Sequence, residues 1–261
     1  MTKIVALGHS HLNRVRSALD HRQLPLAGTG PSDLAAVWLH DVWVHNTDYA
    51  AIGDHGEIEF NSYVIAQAES QIVDMSDAIY CVQFGGSGHV ILGLQRLSPA
   101  FDFVYAGAPN LPIEPNAMIL PMDLVSAALD AHMAPYMLQL KALRRMIKQP
   151  IICLETPPPY EDDAYVASHL GSYIASPENV VGAPLRRKLF LLHSQKVRNF
   201  CEENEIEYMS CPPQTLTDDG YLVREGYGED ATHANLWYGE QVLRQIEERI
   251  LQKIGAFTAF A

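Results

Sequence analysis

The chain has 261 residues, 48% of them hydrophobic and 19% charged, which is enough apolar material for one sizeable core in a single α/β domain spanning residues 1–261. Eighteen Lys and Arg stand against 31 Asp and Glu, a net charge of -13 without any cluster of five or more basic residues. That balance argues against a phosphate-tracking surface and against nucleic acid as a partner. No apolar run reaches the roughly 18 residues of a membrane span, and the first apolar stretch, about five residues, is too short for a signal peptide.

Strands and helices alternate along the chain. "KIVALG" (Lys3 to Gly8) is a short continuous apolar run, as expected of a strand buried on both faces. Helical spacing follows at Leu12, Val15 and Leu19. "AAVWLHDVWV" (Ala35 to Val44) reads as a second strand, with Trp38 and Trp43 suited to core packing or to lining a sugar or acyl site. A helix over "AQAESQIVDM" leads into the third strand, "AIYCVQFGGSGH", which stops at a glycine pair.

A helix then places Tyr136, Leu140, Leu143 and Ile147 on one face and leads into the fourth strand, "PIICLET". The stretch Thr156 to Arg187 is rich in Pro and Gly and weakly periodic. It reads as an irregular insertion that either overhangs a ligand crevice or forms a surface excursion or oligomer contact. The basic triplet Arg186 to Lys188 dresses the start of the next helix, expected over 187–204 with Phe190, Val197 and Phe200 inward. A fifth strand, "IEYMS", and a final helix over 235–254 complete the series, the last with Leu236, Leu243, Ile246, Ile250 and Ile254 on its apolar face.

Five such units predict an α/β fold: a three-layer α/β/α sandwich around a flavodoxin-like parallel five-stranded sheet of order 2-1-3-4-5. The four cysteines, Cys81, Cys153, Cys201 and Cys211, show no CxxC pairing, and Cys81 and Cys153 fall in apolar runs. A soluble, cytoplasmic protein with free thiols is the expectation. The apolar tail "GAFTAFA" suits docking on its own domain or on a second copy of the chain, a homo-oligomer.

Three polar clusters fall beyond predicted strand ends, where open α/β sheets build their sites. They are Gly8-His9-Ser10-His11, then Gly85-Gly86-Ser87-Gly88-His89, then "GEDATHANLWYG", Gly228 to Gly239. Ser10 at a strand-to-helix turn can act as a nucleophile beside backbone N–H groups that would receive an oxyanion, or simply cap the helix. Asp230 and His233, three apart, share one face of a turn, so the carboxylate can fix the imidazole tautomer and leave Nε2 free for a serine proton.

This combination resembles the SGNH (GDSL-like) hydrolase superfamily, whose members carry Gly-x-Ser after the first strand, Gly-x-Asn after the third and Asp-x-x-His before the last helix. Asp230, His233, Asn235 and Gly239 match that last block, and "LETPPP" (Leu154 to Pro159) looks like the family's Pro-rich end of strand four. The resemblance implies Ser10 as nucleophile, His233 as general base and Asp230 as its orienting partner, with an acyl-enzyme formed from a small-molecule carboxylic ester. It places the oxyanion at the N–H of Ser10, at a second-block glycine for which Gly53 and Gly56 are the candidates, and at the third block, Gly86 and Ser87. In the third block Ser87 replaces the family's Asn, and in the first the family's "GDSL" reads "GHSH".

His9 adjoins Ser10 and His11 lies in the first helical turn, so neither is expected to be the base; with His89 they are candidates for touching substrate or supporting the turn. A rival reading gathers His9, His11, His89, Asp230 and His233 as ligands of zinc, iron or manganese, but leaves Ser10 without a role. The favoured reading needs no metal and no cofactor. Two variants of it stay open: an acyltransferase using the same three residues, and a catalytically weakened relative that only binds a ligand.

Overall fold

A computed structural model of the chain describes residues 3–21, 50–52, 57–60, 66, 78–84, 87–170 and 179–258. The described strands are β1 (Lys3–Gly8), β2 (Ala50–Ile52), β3 (Ile58–Phe60), β4 (Ala78–Gln83), β5 (Phe101–Asp102), β6 (Met118–Ile119), β7 (Ile151–Leu154) and β8 (Glu207–Met209). The α-helices are α1 (Asn13–His21), α2 (Gly88–Leu94), α3 (Met122–Met146), α4 (Asp163–Ser168), α5 (Ala183–Glu203) and α6 (Leu236–Thr258).

β1, β4, β7 and β8 pair in that order as a four-stranded parallel sheet, with Gly8 opposite Gln83, Tyr80 opposite Ile151 and Leu154 opposite Met209. Successive strand side chains point to opposite faces, and the apolar runs use that alternation to build two cores. Val5, Leu7, Tyr80, Val82, Ile151 and Cys153 join one core, together with Leu129, Leu140 and Leu143 of α3 and Leu185, Leu189 and Val197 of α5. Ala6, Ile79, Cys81, Ile152 and Leu154 join the other, with Val15 and Ala18 of α1 and Val242, Leu243 and Ile246 of α6. Burial on both faces is why these strands read as unbroken apolar runs.

The fold is α/β, a parallel sheet flanked by helices. The strand expected at 35–44 lies outside the described residues, as do Trp38, Trp43 and, apart from the helical residue Ala66, the helix expected over 66–75. Two small pairings were not foreseen: the antiparallel hairpin β2–β3, which lies against α3, and the parallel pair β5–β6.

Helix α3 begins at Met122 and carries Pro135 in its interior. A mid-helix proline removes a donor and reads as a start or stop, so the sequence pattern revealed only the half that follows it. α5 likewise begins at Ala183, ahead of the expected 187, with proline in its first turn. The basic triplet does fall in the first turns of that helix, where Arg186 is buried and Lys188 is buried against Asp102. The expected irregular stretch 156–187 contains α4 and the first residues of α5, with 171–178 outside the described residues. All four cysteines are buried and none is in a disulfide. α6 runs on to Thr258, and the last residues of the apolar tail, 259–261, lie outside the described residues. Among the described residues no helix is long and apolar enough to cross a membrane.

Candidate active site

β1 ends at Gly8, and a single 3-10 turn over Ser10–Leu12 turns the chain into α1. The cap position of this turn belongs to His9, whose side chain makes no capping bond. The Ser10 hydroxyl is engaged elsewhere. It meets Nε2 of His233 at 2.8 Å, across 223 residues of sequence.

Nδ1 of His233 donates to Asp230 Oδ2 at 2.8 Å. The other carboxylate oxygen, Oδ1, accepts from the backbone N–H groups of Thr232 and His233, each at 2.8 Å, and from the Thr232 hydroxyl at 2.9 Å. Asp230 therefore shapes the turn with one oxygen and orients the ring with the other. Partial burial opposes the charge, yet the hydrogen bonds from the His233 ring and from these two backbone groups outweigh it and hold the carboxyl well below its ordinary range. The side chains of His233 and Asp230 remain 30% and 48% exposed, so the ring edge is open to an incoming molecule.

The turn is packed through two glycines. A Cβ on Gly228 would stand 1.9 Å from His233 O, and one on Gly239 would stand 2.1 Å from Arg14 O. The first lets the two ends of the loop touch. The second lets α6 close on α1, and since His233 precedes one helix and Ser10 the other, that approach brings the two residues within bonding distance.

The remaining histidines take different places. Nε2 of His9 lies 3.1 Å from Gln139 Oε1, and its ring meets Phe84 and Tyr136 edge-on. His11 lies with its ring centroid 4.7 Å from that of His233. Burial, with the His233 ring beside it, pushes the His11 pKa down to about 3, so the ring is neutral at ordinary pH. His89 is buried in the first turn of α2, with its ring against His193 at 4.5 Å and Phe190 at 5.7 Å, and burial lowers its pKa well below the usual histidine value. A cavity of about 30 Å³ separates it from the Asp230 turn, lined by His89, Leu94, Pro158, Tyr160, Arg186 and Thr232. Among the described residues, no three His, Cys, Asp or Glu side chains converge closely enough to hold a metal ion.

Ser87 caps α2 and is half-buried, its carbonyl accepting from Val90 and Ile91 while its hydroxyl makes no capping bond. Gly86, Gly53 and Gly56 lie outside the described residues. Sequence reasoning missed Thr232, which braces Asp230, and Tyr160 and Tyr165, which bond the backbone of the same loop. The one signal for Tyr160 is its place directly after the Pro157–Pro159 run at the end of a strand.

No protein-family profile and no curated protein sequence matches this chain. Solved structures similar to it include a GDSL-like lipase from Bacteroides thetaiotaomicron, at 11% identity and a TM-score of 0.42, covering 97% of this chain and 89% of that one. An extracellular lipase from Streptomyces rimosus is 14% identical with a TM-score of 0.46, over 95% and 99% of the two chains. The periplasmic domain of a lipopolysaccharide acetyltransferase from Salmonella ser. Paratyphi A is 14% identical with a TM-score of 0.42, over 95% and 83%.

Proposed function

We propose that the chain is a serine hydrolase of SGNH type that cleaves a carboxylic ester through an acyl-enzyme. The observation that supports this is the unbroken line Ser10 Oγ to His233 Nε2 to Asp230, with both contacts at 2.8 Å. A serine alone is a poor nucleophile; beside a base whose tautomer is fixed by a carboxylate it becomes an effective one.

In this reading Ser10 Oγ attacks the acyl carbonyl as its proton passes to His233 Nε2. Asp230 keeps Nδ1 protonated and stabilises the imidazolium. The negative charge on the former carbonyl oxygen falls to the Ser10 N–H at the start of its helical turn, with Gly86 and Ser87 proposed as further donors from their place in the sequence. His233 then protonates the departing alcohol; the same ring takes a proton from water as it attacks the acyl carbon, and returns it to Ser10 Oγ as the bond from Ser10 to the acyl group breaks and the acid leaves. An acceptor alcohol in place of that water would make the reaction an acyl transfer. In the same reading the fold is the three-layer, five-stranded sandwich of one domain, with 35–44 as the strand beside β1.

The test is covalent. A fluorophosphonate probe is expected to label the wild-type protein and to leave Ser10→Ala unlabelled, with p-nitrophenyl acetate hydrolysis lost in parallel. Persistent absence of label on the wild type favours a ligand-binding relative, and equal labelling of Ser10→Ala removes Ser10 from the chemistry.

A further inference from the structure

We infer that Tyr160 is a positioning residue for His233: its hydroxyl ties together the two ends of the loop that carries Asp230, and so holds the imidazole in line with Ser10. This rests on the catalytic reading of Ser10, Asp230 and His233 given above.

The loop from Gly228 to His233 has a narrow neck. Tyr227 and Ala234 form an antiparallel bridge across it, Asn235 N–H donates to Gly226 O at 3.0 Å, and the bare Cα of Gly228 accommodates the His233 carbonyl. Into that neck comes the Tyr160 hydroxyl. It accepts from the Gly228 N–H at 2.8 Å and donates to the His233 carbonyl at 2.6 Å. One oxygen thus serves the first and last residues of the loop at once.

The hydroxyl is itself held in place. Tyr160 is 2% exposed, and its ring stacks on Tyr227 with centroids 4.0 Å apart and planes within 12°. Its own carbonyl accepts from the buried guanidinium of Arg186 at 2.8 Å, and the preceding carbonyl, of Pro159, accepts from Leu222 N–H at 3.1 Å. Burial pushes the phenol above its usual range, so the O–H keeps the proton it donates. Two further struts come from the same segment: the Tyr165 hydroxyl donates to Gly228 O at 2.6 Å, and Ala231 N–H donates to His169 O at 3.0 Å. The stretch after β7 therefore acts as scaffold for the Asp230 loop.

His233 is attached to that loop through the peptide whose carbonyl Tyr160 holds. Without the hydroxyl, a Gly228 N–H and a His233 C=O lose their partner in a crowded neck, and the loop has to shift to find water or another donor. Displacement of a catalytic group by about 1 Å costs about a hundredfold in rate, so a change this remote from Ser10 Oγ is expected to be felt there.

Tyr160→Phe keeps the ring and removes the bonds. It is expected to slow fluorophosphonate labelling by about tenfold to a hundredfold, and to alter the tautomer of His233 followed by nitrogen NMR of isotope-labelled histidine. Tyr105→Phe removes a comparable hydroxyl, which donates to Gln195 Oε1 at 2.9 Å away from the loop. It is expected to change neither readout, whatever it does to melting temperature. The inference is overturned if Tyr160→Phe leaves both readouts at wild-type values, or if Tyr105→Phe moves them equally. Should Tyr160→Phe not fold, Tyr165→Phe is read in the same way: a change in the same direction supports the inference and an unchanged His233 signal overturns it. A wild type that takes no label, yet shows a His233 signal that moves only in Tyr160→Phe, sinks the hydrolase reading and leaves the positioning role standing.

Discussion

Gly239 in α6 lies so close to the Arg14 carbonyl in α1 that a Cβ placed on it would stand 2.1 Å from that oxygen and 2.5 Å from the carbonyl carbon. Both contacts are to backbone, which cannot swing aside as a side chain can. Gly239→Ala therefore has to force the two helices apart, at a cost of about 1–3 kcal/mol typical of overpacking. The same displacement lengthens the contact between Ser10 and His233. Chemical denaturation is expected to register the first effect, and a fall in labelling rate larger than the lost stability explains is expected to register the second.

Asp230→Asn makes a sharper distinction. An amide cannot accept from the His233 ring and keep both turn-forming bonds on its other side, so the ring loses its fixed tautomer while the loop keeps its length. Hydrolysis of p-nitrophenyl acetate is expected to fall by about 10³–10⁴-fold, the scale of an amide replacing a triad carboxylate, with little change in KM. A fall below about tenfold would mean that the carboxylate serves only the turn.

Ser87→Asn restores the side chain that the resemblance leads one to expect at the third block. The longer amide brings an N–H donor where a short hydroxyl now stands. If Ser87 is a weak oxyanion donor, ester turnover is expected to rise by about tenfold or more, against the 10²–10³ that one such donor is worth. Lower turnover would assign the hydroxyl a separate task.

Acid stability follows from His11. Its folded pKa, about 3, lies below the 6.5 of the unfolded chain. Between those values the unfolded chain binds a proton that the native protein refuses, so stability falls as pH drops from about 6.5 towards 3. One group contributes at most about 1.4 kcal/mol per pH unit there. Asp230 acts in the next window: its folded pKa is lowered below 3.8, so its contribution is complete above that value and is lost on further acidification. His11→Leu is expected to flatten urea-denaturation stability between pH 6 and pH 4 (about 1.4 kcal/mol per unit at most). An unchanged slope would place the acid sensitivity elsewhere, with His89 the next buried ring to test.

How much of this was legible in the sequence depended on whether the signal was local. β1, β4 and β7 could be read because strands buried on both faces are apolar without interruption. Ser10, Asp230 and His233 stood out as candidates because a serine at a strand end and a carboxylate three residues before a histidine are short patterns, and the resemblance to SGNH hydrolases joined the two into one site. The first half of α3 was hidden by Pro135, which looks like a boundary although the helix passes through it. Tyr160 was invisible for another reason: its partners are backbone atoms 68 and 73 residues away, and backbone groups leave no trace in residue identity. The buried ion pair of Lys188 and Asp102 left no signal either, since two charged residues 86 positions apart show no pattern in the sequence.

That pair supplies a test of the frame beneath the site. Lys188 Nζ donates to Asp102 Oδ1 at 2.6 Å and to the carbonyls of Phe103 and Pro112, while Asp102 also accepts from the N–H groups of Phe103 and Glu114. The two side chains are 1% and 0% exposed, so neither charge can turn to water when the other is removed. Lys188→Met is expected to destabilise the protein by about 3–5 kcal/mol, because it strands a carboxylate rather than merely deleting an attraction. Lys188→Met combined with Asp102→Asn removes both charges, but Phe103 N–H and Glu114 N–H meet different carboxylate oxygens, so the amide oxygen keeps only one of these two backbone donors. Urea denaturation of the single and double variants is expected to show part of the loss recovered in the double variant, the backbone donor left without an acceptor keeping back about 1–3 kcal/mol; an additive loss would mean that the pair contributes through packing of the lysine stem and not through its charge.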